Sequence, residues 1–497
     1  MKIVFCNRIS RITIIKNRKW ENDMALKAEV LTSYKKIDEA YIDTLLEQEI
    51  KKNNKKIVVL DDDPTGVQTV HDISVYTNWD KETIRQGFEE ENNLFYILTN
   101  SRGFTAEQTI KAHNEISSVV DEVAKETGRE YIFISRSDST LRGHYPLETE
   151  ILKTNYEKNT GKTIDGEILC PFFKEGGRFT IDDIHYVKYG EELIPANETE
   201  FAKDKTFGYT AATMPEYIEE KTKGAYKAEN VTCISLEDIH NMDIDKIENL
   251  ILNVHDFNKI IVNAVDYADV KVFCVALYRA MAKGKVFMFR TAAAIVKVMG
   301  GVSNQPLLTR KQMVTKETEN GGIIVVGSHT DKTTRQVEEL KKLADIEFIE
   351  LDATLVKDEQ AFEAEVNKCL EKEEECIKAG KTVCCYTTRA LITANTGDKE
   401  DELRLSVKIS DAVQSLVGRL KVTPAFVIAK GGITSSDVGT KALAVKKANV
   451  LGQIRPGIPV WQTGEESRFP MTPYVIFPGN VGEITTLRES VEVLLDK

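Results

Sequence analysis

Three consecutive carboxylates, Asp61-Asp62-Asp63, run into Pro64-Thr65-Gly66 and are the first residues with the means to do chemistry. Like charges at the end of an apolar run are costly unless something binds them. They suit a metal, the hydroxyls of a sugar or the acceptance of a proton. A solvated, capped turn is the plainer alternative, with Pro64 and Gly66 as turn formers. Two more polar clusters follow apolar runs: Thr99-Asn100-Ser101-Arg102-Gly103, and Ser135-Arg136-Ser137-Asp138-Ser139-Thr140-Leu141-Arg142-Gly143-His144. The planar fork of arginine matches a carboxylate, while Asp138, Ser139 and Thr140 suit polyol hydroxyls. Surface ion pairs would explain Arg102, Arg136 or Arg142 singly but not so readily together. The combination describes a small acid carrying several hydroxyls. Cys170 to Arg178 adds a glycine pair beside Arg178, the mark of a tight loop with an anion-facing side chain. His185, taken alone, reads first as a structural histidine.

The second half carries hydroxyl- and glycine-rich turns. Gly327-Ser328-His329-Thr330 leads from an apolar run into a helical pattern, an arrangement that offers backbone N–H groups to an anion; Ser and Thr there also serve as plain helix caps. Lys430-Gly431-Gly432-Ile433-Thr434-Ser435 is the stronger signal, since glycines let the backbone approach a phosphate closely. The GxxxxGK[ST] spacing is absent. A third turn follows Phe477, at Pro478-Gly479-Asn480. Together they suggest a nucleotide cradle.

These clusters need a scaffold that delivers strand ends to one edge. Short apolar runs supply it: Ile57–Leu60, Leu94–Leu98, Tyr131–Ile134, Lys259–Val262 and Val286–Phe289, then Ile323–Val326, Glu347–Leu351, Thr382–Tyr386, Ala425–Ala429, Pro459–Trp461 and Tyr474–Phe477. They alternate with helical stretches, among them the charged 356–381, which predicts an α/β protein with parallel sheets. In such sheets ligands bind outside the carboxyl ends of the strands. The reading is of two domains, each a mostly parallel sheet flanked by helices, with the active site in the cleft between them. The divisions are 1–54, a tail and leading helix; 55–305, the substrate domain; 306–320, a linker; and 321–497, the nucleotide domain.

Composition narrows the function classes. The chain has 497 residues and a formal net charge of -12, against the basic face that nucleic-acid binding needs. Its eight cysteines show no CxxC pair and no zinc spacing, so they read as reduced thiols of a cytoplasmic protein. No apolar run approaches the ~20 residues of a membrane span. Residues 1–23 lack a signal-peptide pattern; Met24 is read as the natural start, or as the end of a loose leader.

With these motifs in order, the chain resembles the four-carbon acid sugar kinase family over roughly 57–483. Asp62-Asp63-Pro64-Thr65-Gly66 looks like its DDxTG start, and Asp138 to Gly143 like its DSTxRG segment. Pro171 to Arg178 is similar to its PxFPExGR loop, and Asp182 to Tyr186 to its DGVHY stretch. Gly327 to Thr330 and Gly431 to Ser435 are similar to its GSxS and GGxTS turns. The resemblance implies that the N-terminal domain binds the sugar acid and the C-terminal domain binds ATP, with phosphorylation of a terminal hydroxyl of threonate, erythronate or oxo-tetronate. Asp62 or Asp63 would orient and deprotonate that hydroxyl. Arg102, Arg136, Asp138, Ser139, Thr140, Arg142, Arg178 and His185 form the candidate substrate set. Ser328, Thr330, Lys430, Gly431, Gly432, Thr434, Ser435 and Gly479 form the ATP set. Mg²⁺ is expected on the phosphates, its protein ligands unassigned. The partners are small molecules, with no nucleic acid or membrane, and a homodimer is compatible with this.

Two rivals stand beside this reading. Val58 to Thr65 fits the strand-DxDxT pattern of a haloacid-dehalogenase-type phosphatase, with Asp61 as nucleophile and Asp63 as acid. A non-catalytic sensor of sugar acid and nucleotide would carry the same pockets without turnover.

Overall fold

The computed structural model describes residues 24–497 apart from 317, 329, 390, 391, 394–398 and 480. The expectations for the leader at 1–23, for His329 and for Asn480 therefore lie outside the described residues.

Most strands are continuous apolar runs buried on both faces, as Ile57-Val58-Val59-Leu60 is. Such runs belong in parallel sheets covered by helices on each side. The helices carry sequence-encoded ends. Ala106–Thr127 starts with a Thr105/Gln108 capping box and stops at Gly128, whose φ of 65° is the left-handed cap conformation.

Eight parallel strands form the N-terminal sheet, in the order Thr232–Ile234, Asn258–Val262, Gly166–Cys170, Phe287–Thr291, Tyr131–Arg136, Lys56–Asp61, Leu94–Leu98 and Ile73–Tyr76. Five parallel strands form the C-terminal sheet: Pro473–Phe477, Val427–Lys430, Ile323–Val326, Thr382–Thr387 and Ile346–Leu351. The sequence reading treats these as two separate sheets. They are instead continuous through the antiparallel hairpin Lys447–Arg455/Ile458–Thr463, which pairs with Ile73–Tyr76 on one side and Pro473–Phe477 on the other.

Three antiparallel pairings make the two parallel sets run in opposite directions within the sheet. A flat sheet would send their carboxyl ends to opposite edges. Strand twist of roughly 20–25° per step, taken over the six steps from Lys56–Asp61 to Val427–Lys430, turns the second set by about 120–150°. Bulges in the first hairpin strand, between Val450 and Gly452 and between Gln453 and Arg455, add local twist. The result is that the two carboxyl edges come to one side of the sheet, where Gly432 stands beside Asp63.

The segment 306–320 is docked rather than a free tether. It contains a short helix, Arg310–Met313, and buries Leu308 and Met313 in the core of the C-terminal half. The Leu308 N–H donates to the Gln453 carbonyl at 2.8 Å. A separate four-stranded antiparallel sheet includes Arg178–Ile181 and Ile184–Tyr189, which bring Arg178 and His185 to the site.

Candidate active site

Asp61 is the last residue of its strand and is 1% exposed. Its Oδ1 takes a hydrogen bond from Arg136 Nη1 at 2.9 Å. A Cβ on Gly66 would stand 2.0 Å from Asp61 Oδ2, so only glycine allows the following turn to close over this carboxylate. Burial pushes the Asp61 carboxyl up to about 7; Arg136 opposes the shift, and Asp62 and Asp63 add to it. Asp61 and Arg136, which is 3% exposed, are therefore a buried pair beneath the site. Arg136 was expected to grip substrate; its charge is already committed.

Asp62 is held in a fork by Arg102, whose Nη2 donates to Oδ1 at 2.6 Å and whose Nε donates to Oδ2 at 3.2 Å. The Ser137 hydroxyl lies 3.1 Å from Asp62 Oδ2 and 3.0 Å from the Arg142 carbonyl. Gly143, with φ 118°, passes so close that a Cβ there would meet Arg290 Nη2 at 2.6 Å and Asp62 Oδ2 at 3.2 Å. Asp62 is 3% exposed and its oxygens are occupied.

Asp63 is more open, with 14% of its side chain exposed. Its Oδ1 accepts from the Thr65 N–H at 2.9 Å and the Thr65 hydroxyl at 2.5 Å. Its Oδ2 accepts from Arg102 Nη1 at 3.3 Å. Burial raises its carboxyl pKa, but Arg102, Arg136 and the Thr65 hydrogen bonds outweigh this and hold it below the ordinary value. Asp63 is thus ionised and has an accessible carboxylate edge.

The third strand end builds the outer wall. Asp138 receives the Arg142 Nε at 2.7 Å and the Thr140 hydroxyl, and lies 4.0 Å from Arg102 Nη1. Burial opposes its ionisation, yet Arg142 and Arg102 hold it well below the usual carboxylate range. His185 is buried behind this loop. Its Nε2 lies 2.7 Å from the Ser139 carbonyl and its Nδ1 lies 2.9 Å from the Thr180 hydroxyl. Both ring nitrogens are engaged, and burial pushes the imidazole down to about 4. A neutral ring donating from Nε2 and accepting at Nδ1 satisfies both contacts. His185 holds the Ser139 loop and presents no free nitrogen, contrary to its inclusion among the substrate ligands.

On the opposite edge, Ser328, Thr330 and Thr333 form a triangle of hydroxyls, with Oγ separations of 3.3, 3.0 and 3.1 Å, at the start of the helix Asp331–Leu340. The Thr434 hydroxyl packs against Gly327: a Cβ on Gly327 would stand 2.4 Å from Thr434 Oγ1. The Ser328 and Gly431-Gly432 turns are therefore adjacent. Lys430 does not face outward with them. It is 0% exposed, and its Nζ donates to the carbonyls of Pro478 at 2.6 Å and Gly479 at 3.1 Å. Burial, with a smaller push from Lys332, brings its pKa down to about 7. Lys430 fixes the third turn rather than reaching a phosphate. Ser435 is likewise buried and donates to the Ala429 carbonyl at 2.8 Å.

The two edges meet. A Cβ on Gly432 would lie 3.6 Å from Asp63 Oδ2. Nearby, Gln68 Nε2 donates to the Gly457 carbonyl at 3.0 Å across the same boundary.

Several residues at the site were absent from the sequence reading. Arg290 contacts Glu148 and Ser135 and reaches the Arg142 carbonyl at 3.4 Å. It directly follows the apolar run ending at Phe289, so the strand-end rule applied to the others would have found it. Phe201 lies beneath Arg142 and Arg178. Arg389, just after Thr382–Thr387, donates Nη2 to the Ser328 carbonyl and Nε to Thr334 Oγ1 at 3.3 Å. Among the described residues, no group of three or more His, Cys, Asp or Glu side chains is arranged to hold a metal, and no helix is long and apolar enough to cross a membrane.

This two-sided arrangement agrees with what the chain matches. Residues 57–299 match the family model of a sugar-binding N-terminal domain, and residues 323–487 that of a nucleotide-binding C-terminal domain. No curated protein matches the chain. Among solved structures, the DUF1537 protein HI1011 of Haemophilus influenzae is similar, with TM-score 0.57 and 17% identity over 88% of this chain and 100% of its own. A protein of Salmonella typhimurium LT2 is similar with TM-score 0.63 and 15% identity, over 88% of this chain and 98% of its own. At these identities the likeness speaks to the fold. The two domain models between them cover most of the chain, with Asp63 in one and Gly432 in the other, and the chain belongs to the four-carbon acid sugar kinase family, DUF1537.

Proposed function

We propose that the protein is an ATP-dependent kinase that phosphorylates the terminal hydroxyl of a four-carbon sugar acid: threonate, erythronate or an oxo-tetronate. The observation that carries this reading is the meeting of the Asp63 carboxylate with the Gly432 turn, at the junction of the sugar-binding and nucleotide-binding domains.

In this reading the nucleotide phosphates lie along the Gly431-Gly432 turn and the Ser328, Thr330 and Thr434 hydroxyls, with Lys430 holding the Gly479 turn from behind. Phosphoryl transfer depends mainly on positioning and charge neutralisation. Asp63, ionised and fixed by Thr65 and Arg102, orients the substrate hydroxyl and takes its proton as the oxygen bonds to the γ-phosphorus. The bond from that phosphorus to the β–γ bridging oxygen breaks and ADP leaves. Asp62 holds Arg102 in place. Mg²⁺ carried by the nucleotide would neutralise phosphate charge, held mainly by phosphate oxygens and water. Excluding water between the two edges limits wasteful hydrolysis. A cytoplasmic setting is part of the proposal, in keeping with the seven described cysteines, none of which is in a disulfide.

The phosphatase alternative needs Asp61 as an exposed nucleophile. Asp61 is instead covered by Gly66 and paired with Arg136, which disfavours a covalent aspartyl-phosphate. The sensor alternative differs only in turnover. Incubation with Mg-ATP and each acid, followed by mass spectrometry, tests the proposal. A phospho-acid is the expected product; binding of acid and nucleotide with no product would favour the sensor.

A further inference from the structure

Five arginines converge on the substrate side, and they differ in what neutralises them. Arg102 is paired with Asp62 and Asp63, Arg136 with Asp61, Arg142 with Asp138, and Arg290 with Glu148. Arg178 forms no ion pair with any described residue. It is 7% exposed, and its hydrogen bond runs from Nη1 to the carbonyl of Gly176 in its own loop. Its Nε is buried without a partner. The guanidinium lies over the Phe201 ring, 5.3 Å from the centroid, and Arg142 lies over the same ring at 5.0 Å. Two cations therefore share one aromatic platform. Burial drives the Arg178 pKa below its ordinary value in spite of Asp138. A buried charge without a counter-ion is expensive, and an anionic ligand removes that cost.

The position of this platform is as informative as its charge. From Asp63 the contacts run to Arg102 at 3.3 Å, from Arg102 to Asp138 at 4.0 Å, and from Asp138 to Arg142 at 2.7 Å. Phe201, beneath both Arg142 and Arg178, joins Arg178 to the end of that line. We propose that Arg178, with Arg142 and Phe201, is the receptor for the carboxylate of the acid, and that it sets the direction in which the substrate lies. This rests on the sugar-acid reading above and deepens it: the carboxylate goes to Arg178, the far hydroxyl to Asp63. Neutral tetritols of equal length should bind poorly.

Equilibrium titration of the full chain, without nucleotide, with D-erythronate, D-threonate and L-threonate and with the matching tetritols tests this. The wild type should bind at least one acid more tightly than its tetritol. Arg178→Gln should lower that preference by roughly 30-fold, the loss of a charge-assisted contact. Arg178→Lys keeps the charge without the fork and should recover part of it. Should Arg178→Gln fail to fold, Arg178→Lys reads the same preference, with a partial loss expected. An acid preference unchanged in the folded variants, or no acid preference in the wild type, overturns the receptor. A parallel ADP-release assay with Mg-ATP separates the two readings: acid binding that depends on Arg178 without ADP release keeps the receptor and overturns the kinase. ADP release with an unchanged preference in Arg178→Gln does the reverse.

Discussion

Asp63 and Gly432 belong to strand ends more than 350 residues apart in sequence, yet a single methyl group on Gly432 would stand 3.6 Å from the Asp63 carboxylate. One residue lies in the sugar-binding match and the other in the nucleotide-binding match. The space between them is where an acceptor hydroxyl and a terminal phosphate would have to meet.

Filling that space should stop turnover without harming the fold. Gly432→Val puts branched carbon against Asp63, and a displacement of about 1 Å at a reacting centre costs on the order of 100-fold in rate. The expected outcome is a fall in kcat of that size with a melting temperature near wild type. Steady-state assay and thermal melts check the two halves.

Gly66→Ala tests the buried pair instead. The new methyl would overlap the Asp61 carboxylate, and breaking or displacing a buried ion pair costs about 3–5 kcal/mol. Denaturant unfolding should show a loss of that order. An unchanged midpoint would mean that Asp61 is free to move and that its cover by Gly66 is not tight.

Lys430 supplies a pH signature. Its pKa falls from 10.5 in the unfolded chain to about 7 in the fold, by burial first. Between those values the unfolded chain binds more protons, so stability rises with pH across the window. Below about 7 the penalty for the buried charge is fully present, and above 10.5 it is gone. Lys430→Met should remove this contribution to the slope, seen by unfolding at several pH values. It should also weaken nucleotide binding, since the Pro478 and Gly479 carbonyls lose their donor.

His185→Ala should act through the Ser139 loop. Removal of a buried donor leaves the Ser139 carbonyl unsatisfied, at a cost of about 1–3 kcal/mol. The Michaelis constant for the acid should rise more than kcat falls, because a binding loop is loosened and no proton-transfer group is lost. A loss confined to kcat would give His185 a chemical role that its geometry argues against.

Much of this was legible in the chain because strand ends announce themselves. Ile57-Val58-Val59-Leu60 can only be a doubly buried strand, and the residues after it are placed by that fact. Arg102, Asp138 and the Gly431-Gly432 turn were found in that way. What could not be read was which charges cancel. Arg136 and Lys430 look like ligands in sequence; only the packing shows one answered by Asp61 and the other by two carbonyls. The continuity of the sheet was hidden for a related reason. Lys447–Arg455 alternates buried and half-buried residues, a pattern weaker than the apolar runs elsewhere, and its bulges shift its pairing register. Phe201 belongs to no strand end and carried no signal at all.

The most direct test of the account is ADP release in the presence of Mg²⁺ and ATP, measured with D- and L-threonate, erythronate and their oxo forms, for the wild type and Asp63→Asn. The account predicts release that depends on one or more of these acids in the wild type, and its loss in Asp63→Asn with nucleotide affinity retained. Acid-dependent release that persists at the wild-type rate in Asp63→Asn would contradict it.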